Sequence, residues 1–198
     1  MLEMFYIEKT CEIQEQHIAV DGQTIGREPD LKYADFVKTS FRDLALDYPK
    51  FYKMDSLSKL ALLSAEYLLK GCSNTNIAIV LANQSGSMDS DIKHMNSIRD
   101  PENFFPSPAT FVYTLANICA GEVSIRHNLQ TENVFFVDQQ YPTELIYTYT
   151  SYLLQSKRAE KVLCGWIEYF QENYKAVLYL VGRDGSRVHS VENIEVLF

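Results

Sequence analysis

The chain has 198 residues, 46% of them hydrophobic, so one domain or slightly more can form and bury roughly 70% of the surface the unfolded chain exposes. A formal net charge of −8 argues against nucleic acid or an anionic membrane as a direct partner, since either needs a basic patch, and it disfavours direct docking of an acidic carrier protein. No apolar run approaches the ~18 residues of a membrane span, and the start, MLEMFYIEKT, has no basic region followed by an apolar one, so a cytoplasmic protein is expected.

The aromatic share is high, with 13 Tyr and 11 Phe, side chains that suit cores and protein interfaces. Cys11, Cys72, Cys119 and Cys164 are scattered without CxxC spacing. They predict neither a zinc site nor a disulfide framework and read as buried, reduced thiols.

In chain order, the alternation of Met4 to Gln14 predicts a first strand, and Ile18-Ala19-Val20 before Asp21-Gly22 a second that enters a turn. Residues 26 to 50, mixed and polar with Pro29 and Pro49, read as a surface excursion. Asp55 then precedes a run in which Leu57, Leu60, Ala61, Ser64, Ala65 and Leu68 fall at helical spacing, with Gly71 just past the end. Asn76 to Ala82 predicts a buried strand. The loop after it, Asn83-Gln84-Ser85-Gly86-Ser87, has one glycine and no lysine, which makes it a poor phosphate cradle. Residues 88 to 106 read as a short helix and a loop closed by Phe104-Phe105-Pro106.

The stretch Ser107 to Tyr141 organises the rest. Phe111, Leu115, Ile118, Cys119, Val123 and Ile125 predict a buried, almost wholly apolar helix interrupted at Ala120-Gly121. Val134-Phe135-Phe136-Val137 is a short apolar run of the kind covered on both faces. Asp138-Gln139-Gln140-Tyr141 leads from it into Pro142, favoured at the first position of a helix, so the strand delivers Gln139 or Gln140 to a helix N-terminus. Pro142 to Ser156 follows as a helix, with Glu144 in its first turn and Lys157-Arg158 beyond its end matching the helix dipole. Lys161 to Gly165 and Tyr174 to Val181 predict two further strands, and Asp184-Gly185 a turn into a last strand, Val188 to Phe198. Strands alternating with helices make an α/β sheet with helices on its faces.

These segments together resemble the N-terminal half of a β-ketoacyl synthase of the thiolase fold. Ser107, Pro108, Thr114, Asn117, Ala120, Gly121 and Ile125 match in register the family's S-P-x(5)-T-x-x-N-x-x-A-G-x-x-x-I segment, and Thr131-Glu132-Asn133 stands where a GPN-type turn leads to the nucleophile strand. FYKMDSLSKLALLSAEYLL and IAIVLANQSGSMDSD resemble the family's preceding helix, second strand and small-residue loop. The resemblance covers most of residues 1 to 182 and implies one βαβαβαββ unit, with a mixed five-stranded sheet, over residues 1–198. It implies no cofactor and no metal.

Two departures bear on activity. The family's strand ends in T-A-C-A, with the cysteine at a helix N-terminus that favours thiolate and the oxyanion of its acyl adducts. Counting from Asn133 places Gln140 at that position, a slip of one residue gives Gln139 or Tyr141, and neither Cys119 nor Cys164 falls there. The family's second half, with its two histidines, has no counterpart in this chain. His189, the single histidine after the nucleophile position, reads as a surface residue of the last strand, and His17, His94 and His127 show no partner pattern. Condensation needs a nucleophile and charge stabilisers within ~3 Å of the reacting atoms.

A glutamine at the cysteine position resembles the family's chain length factors, inactive partners of active ketosynthases, and also its malonyl-decarboxylating loading domains. The first likeness implies a non-catalytic subunit of a bacterial fatty-acid-like, aryl polyene or polyketide pathway. Its partner would be a full-length ketosynthase, or a second copy of itself, with acyl carrier protein reached through the partner. Val134, Phe135, Phe136 and Val137 would form the contact strand, and Phe111, Tyr113 and Thr114 would line the acyl tunnel. The alternatives are a malonyl-carrier decarboxylase using Gln140 and a homodimeric scaffold without an acyl role. The aromatics can equally be ordinary core residues, and Gln140 a cap for helix-end N–H groups.

Overall fold

Five strands of a βαβαβαββ order lie side by side in the computed structural model of the chain, which describes residues 3–27 and 30–198. They are β1 (Tyr6–Gln14), β4 (Ile77–Asn83), β5 (Asn133–Val137), β6 (Lys161–Phe170) and β7 (Asn173–Gly182). Three shorter strands, β2 (His17–Val20), which matches the second strand expected at Ile18-Ala19-Val20, β3 (Gln23–Arg27) and β8 (Arg187–Val188), extend to eight the five that the resemblance implies. The spatial order is β3-β2-β1-β7-β6-β4-β5, with β8 also beside β1. β4 runs parallel to both β5 and β6, and the other pairings are antiparallel.

The extra strands follow from turn chemistry. Asp21 and Gly22 both take positive φ, and the chain doubles back from β2 into β3. Gln171 and Glu172 do the same between β6 and β7, so β6 runs on well beyond Gly165.

Helices cover both faces. On one lie α1 (Tyr33–Asp43), α2 (Ser56–Leu69) and α5 (Ile118–His127), packing Phe36, Phe41, Leu60, Leu63 and Val123 into the larger core cluster. On the other, α6 (Thr143–Gln155) and α7 (Val191–Glu195) bring Ile146, Leu153 and Ile194 against Val80, Val162 and Tyr179. α2 matches its prediction: the Asp55 carboxylate accepts a 2.9 Å bond from the Ser58 N–H, and Gly71 beyond the helix takes φ +79°.

Residues 26 to 50 are not a surface excursion. Pro29 lies outside the described residues, but α1 buries Tyr33, Phe36, Val37 and Phe41, and Phe41 stacks on Phe51 at 3.8 Å between ring centroids. Polar residues on one face of α1 hid an amphipathic helix. The expected last strand is likewise corrected: after β8 the chain turns into α7, whose first turn is capped by Ser190 Oγ accepting from the Asn193 N–H at 3.3 Å. Ser-x-x-Asn just before an apolar residue is a helix start rather than a strand interior.

His189 is therefore not a surface residue. It is 5% exposed, its ring lies 5.1 Å from that of Tyr147 and 6.4 Å from that of Tyr179, and its Nε2 has no hydrogen-bond partner among the described residues. Burial pushes its pKa down to about 4, against about 6.5 in an unfolded chain. Above pH 6.5 the ring is neutral in both states, whereas between pH 6.5 and about 4 the unfolded chain takes up the proton first, so stability falls as pH falls. The expected loss across that window is roughly 2–4 kcal/mol. Urea unfolding from pH 7 to 4 should show it for the native protein and a flatter profile for His189→Leu; equal slopes for the two would reject this origin.

Candidate functional site at the carboxyl ends of the parallel strands

β4, β5 and β6 end on the same side of the sheet. From β4 the chain passes to its neighbour β5 through α3 (Met88–Ile98), α4 (Pro108–Val112) and α5, and from β5 it returns past β4 to β6 through α6 on the opposite face. Adjacent strands whose connections leave to opposite faces open a crevice at their carboxyl ends, where α/β folds keep their chemistry.

One wall of this crevice is the loop after β4, which is fastened at several points. The fully buried Asn83 side chain donates from Nδ2 to the Gly86 carbonyl and accepts from the Gly86 N–H, both at 2.9 Å. The Gln84 and Ser85 N–H groups donate to Glu168 Oε2 at 2.7 and 3.2 Å, and Ser87 Oγ donates to the Thr114 carbonyl at 2.7 Å. The Asp138 N–H donates to the Asn83 carbonyl at 2.9 Å, tying the end of β5 to this wall. Beside it, Gln14, Gln16, Gln84, Trp166, Glu168 and Tyr174 take part in lining a cavity of about 400 Å³. None of these roles was predicted. The available signals were an Asn closing an apolar run before Ser-Gly and a lone carboxylate at the end of an apolar strand.

The bend after β5 carries Gln139 and Gln140, both exposed. The helix begins one residue later than predicted, with Pro142 preceding its first turn. Among the described residues no side chain caps α6, so the reading of Gln140 as a cap is corrected. The next residue is the anchor: the Tyr141 hydroxyl lies 2.9 Å from that of Tyr179, and its ring stacks on Phe198 at 3.9 Å. Gln140 is thus an exposed residue whose chain neighbour is anchored in the fold.

No thiol substitutes at the bend. Burial raises the pKa of Cys119 well above that of a free thiol and pushes the Cys164 thiol up to about 12, which removes thiolate near neutral pH. Cys164 lies inside β6, its sulfur 3.1 Å from Thr150 Oγ1. Cys72, expected to be buried, is exposed, but it follows α2 at the amino end of β4, away from the crevice.

The predicted buried helix from Phe111 to Ile125 is in fact two helices, α4 and α5. Cys119, Ala120 and Val123 are buried, whereas Phe111, Leu115 and Ile125 are 60%, 58% and 65% exposed. Among the described residues nothing covers these three side chains. Of the three tunnel candidates, Phe111 lies on the surface with its ring 5.3 Å from that of His94, and Thr114 Oγ1 donates to the Phe111 carbonyl at 2.7 Å. Tyr113 turns inward. Its hydroxyl donates to Glu122 Oε1 at 3.1 Å, Glu122 pairs with Lys50 at 2.5 Å, and the ring helps Met54, Ala109 and Thr110 line a cavity of about 180 Å³.

The contact-strand candidates occupy one edge of the sheet. β5 pairs only with β4 among the described residues. Phe135 and Phe136 are half-buried against opposite core clusters, Val134 is half-buried, and Val137 is 60% exposed. The expectation of a strand covered on both faces is corrected accordingly, since an edge strand at the rim of its helices keeps only part of each face dry. Among the described residues no helix is long and apolar enough to cross a membrane.

No family model and no curated protein matches the chain. Solved structures do. The ishigamide ketosynthase/chain length factor superposes with a TM-score of 0.69 at 19% identity, covering 93% of this chain and 64% of that one. A ketosynthase in complex with its chain length factor from Xenorhabdus doucetiae gives 0.62 at 14% identity, covering 94% and 81%. A type II polyketide synthase acyl-carrier protein in complex with its ketosynthase gives 0.62 at 12% identity, covering 92% and 63%. The chain thus spans less than two thirds of the first and third of these. Strand order, crevice and superposition agree, and the fold of this chain is that of the thiolase-like ketosynthases and chain length factors.

Proposed function

We propose that this chain is a non-catalytic subunit, similar to a chain length factor, that pairs through β5 with a full-length ketosynthase in bacterial fatty-acid-like, aryl polyene or polyketide biosynthesis. In this reading it contributes one thiolase-like unit, and acyl carrier protein is engaged through the partner. The observation that supports it is the open β5 edge, at whose end Val137 is exposed, together with the exposed apolar side chains of Leu115 and Ile125 elsewhere on the surface. A hydrophobic strand edge left uncovered in solution promotes aggregation.

The chemistry of the bend agrees. An amide at Gln140 has no ionisable proton with which to make a nucleophile at neutral pH, so carbon–carbon bond formation falls to the partner's thiol. Tyr113, held by Glu122 and Lys50, would act on the partner's acyl tunnel by bulk alone, with Phe111 and Thr114 beside it.

Co-expression with a full-length ketosynthase, followed by size-exclusion chromatography, tests the reading. A 1:1 complex is expected, at least tenfold weaker for Val137→Asp, because an exposed carboxylate would have to be desolvated on docking. Elution of the two chains apart, a covalent acyl adduct on this chain, or release of CO₂ from malonyl-carrier by this chain alone would overturn it.

A further inference from the structure

The five residues of β5 make an edge about 17 Å long, which offers a strip of about 170 Å² at most. A stable complex buries about 800 Å² on each partner. Most of the contact must therefore come from surface continuous with that edge, and α3 begins there. Gly86, two residues before the helix, lies against the end of β5: a Cβ at this position would stand 3.8 Å from Val137 Cγ2.

α3 turns one side inward. Ser90 is 3% exposed and donates from Oγ to Asp55 Oδ2 at 3.0 Å, at the start of α2. Helical spacing puts Met88, Ile92 and Met95 on the opposite side, where they are 48%, 39% and 57% exposed. A solvated helix face ordinarily carries charge, and here it carries an apolar ridge, two of whose three side chains are flexible thioethers that adapt to an opposing surface.

We propose that this ridge is the second contact of the subunit that covers β5, seating an apolar helix or loop of that partner beside the strand edge. The inference rests on the pairing put forward above. It adds that the ridge, and not the strand edge alone, holds the complex together.

The test uses the full chain in the same co-expression experiment. The double variant Met88→Lys/Met95→Lys should fold as the native protein does, by circular dichroism and thermal midpoint, because both side chains already face solvent. Its complex with the ketosynthase should be at least tenfold weaker, whereas Gln23→Lys, an exposed polar position on β3 at the opposite edge of the sheet, should leave binding unchanged. Native-like affinity of the double variant, alongside weakened binding by Val137→Asp, would overturn the ridge while leaving the pairing intact. Weakening of a homodimer instead would reject the ketosynthase as the occupant. Absence of any complex with the native chain would overturn both.

Discussion

Replacing Gly165 with alanine is expected to destabilise the fold by roughly 2–6 kcal/mol, a large share of the 5–15 kcal/mol typical of a native protein. Gly165 lies in β6 opposite Leu178 of β7, with φ +153°, and a Cβ there would stand 2.1 Å from the Val177 carbonyl oxygen and 2.8 Å from Leu178 Cα. The obstacle is backbone, not the end of a flexible side chain, so relief requires the two strands to part. The backbone angle itself is one that side chains rarely adopt, which adds to the steric cost. β6 and β7 supply both core clusters, so the effect should be global. The measurement is the thermal midpoint, expected to fall by roughly 5–20 °C for a chain of this size; a shift within 1 °C would contradict the geometry.

Glu66→Ala is expected to cost about 3–5 kcal/mol. Glu66 is 1% exposed in the last turn of the apolar α2, and its Oε1 is 2.5 Å from Arg126 Nε on α5, with His127 Nε2 at 3.7 Å. The Arg126 guanidinium also lies over the Tyr48 ring, 4.9 Å from its centroid. Truncation would leave a cation 22% exposed without its counter-charge, and water cannot restore the lost pairing fully. Removing both charges should be milder, since apolar side chains of similar volume can replace a buried pair at little cost. Urea unfolding of Glu66→Ala and of Glu66→Leu/Arg126→Met separates the two contributions. A loss under 1 kcal/mol for the single variant would show that the pair does not hold α2 to α5. The same pair bears on function, because α5 carries Leu115 at its approach and Ile125 on its exposed side, and a displaced α5 would disturb the β5 flank proposed to meet the ketosynthase.

The elements read correctly from sequence are those whose signals are local. α2 carries its own cap, helical spacing and terminating glycine, β4 is an uninterrupted apolar run, and Asp21-Gly22 announces its turn. The errors share another cause. α1 is amphipathic with many polar positions, so composition concealed Tyr33, Phe36, Val37 and Phe41, which interlock with Phe51 only once the chain has folded. α7 starts from a serine cap in a segment of strand-like composition. The apolar run from Phe111 to Ile125 signals contact, but apolarity does not say whether that contact is within the chain or with another.

By itself the sequence determined the α2 helix with its cap and terminating glycine, the buried run of β4, the turn before β3, and the strand-to-helix bend that carries the Gln139 and Gln140 amides. Each of these is encoded within a few residues by periodicity, backbone freedom or side-chain chemistry. Only the tertiary structure decided that β5 lies at an edge, that Glu168 fastens the loop after β4, that His189 is sealed between two tyrosines, and that Gln140 is exposed beside an anchored Tyr141. Those outcomes depend on which distant segments meet, and a residue's solvent exposure is a property of its neighbours in space rather than of its neighbours along the chain.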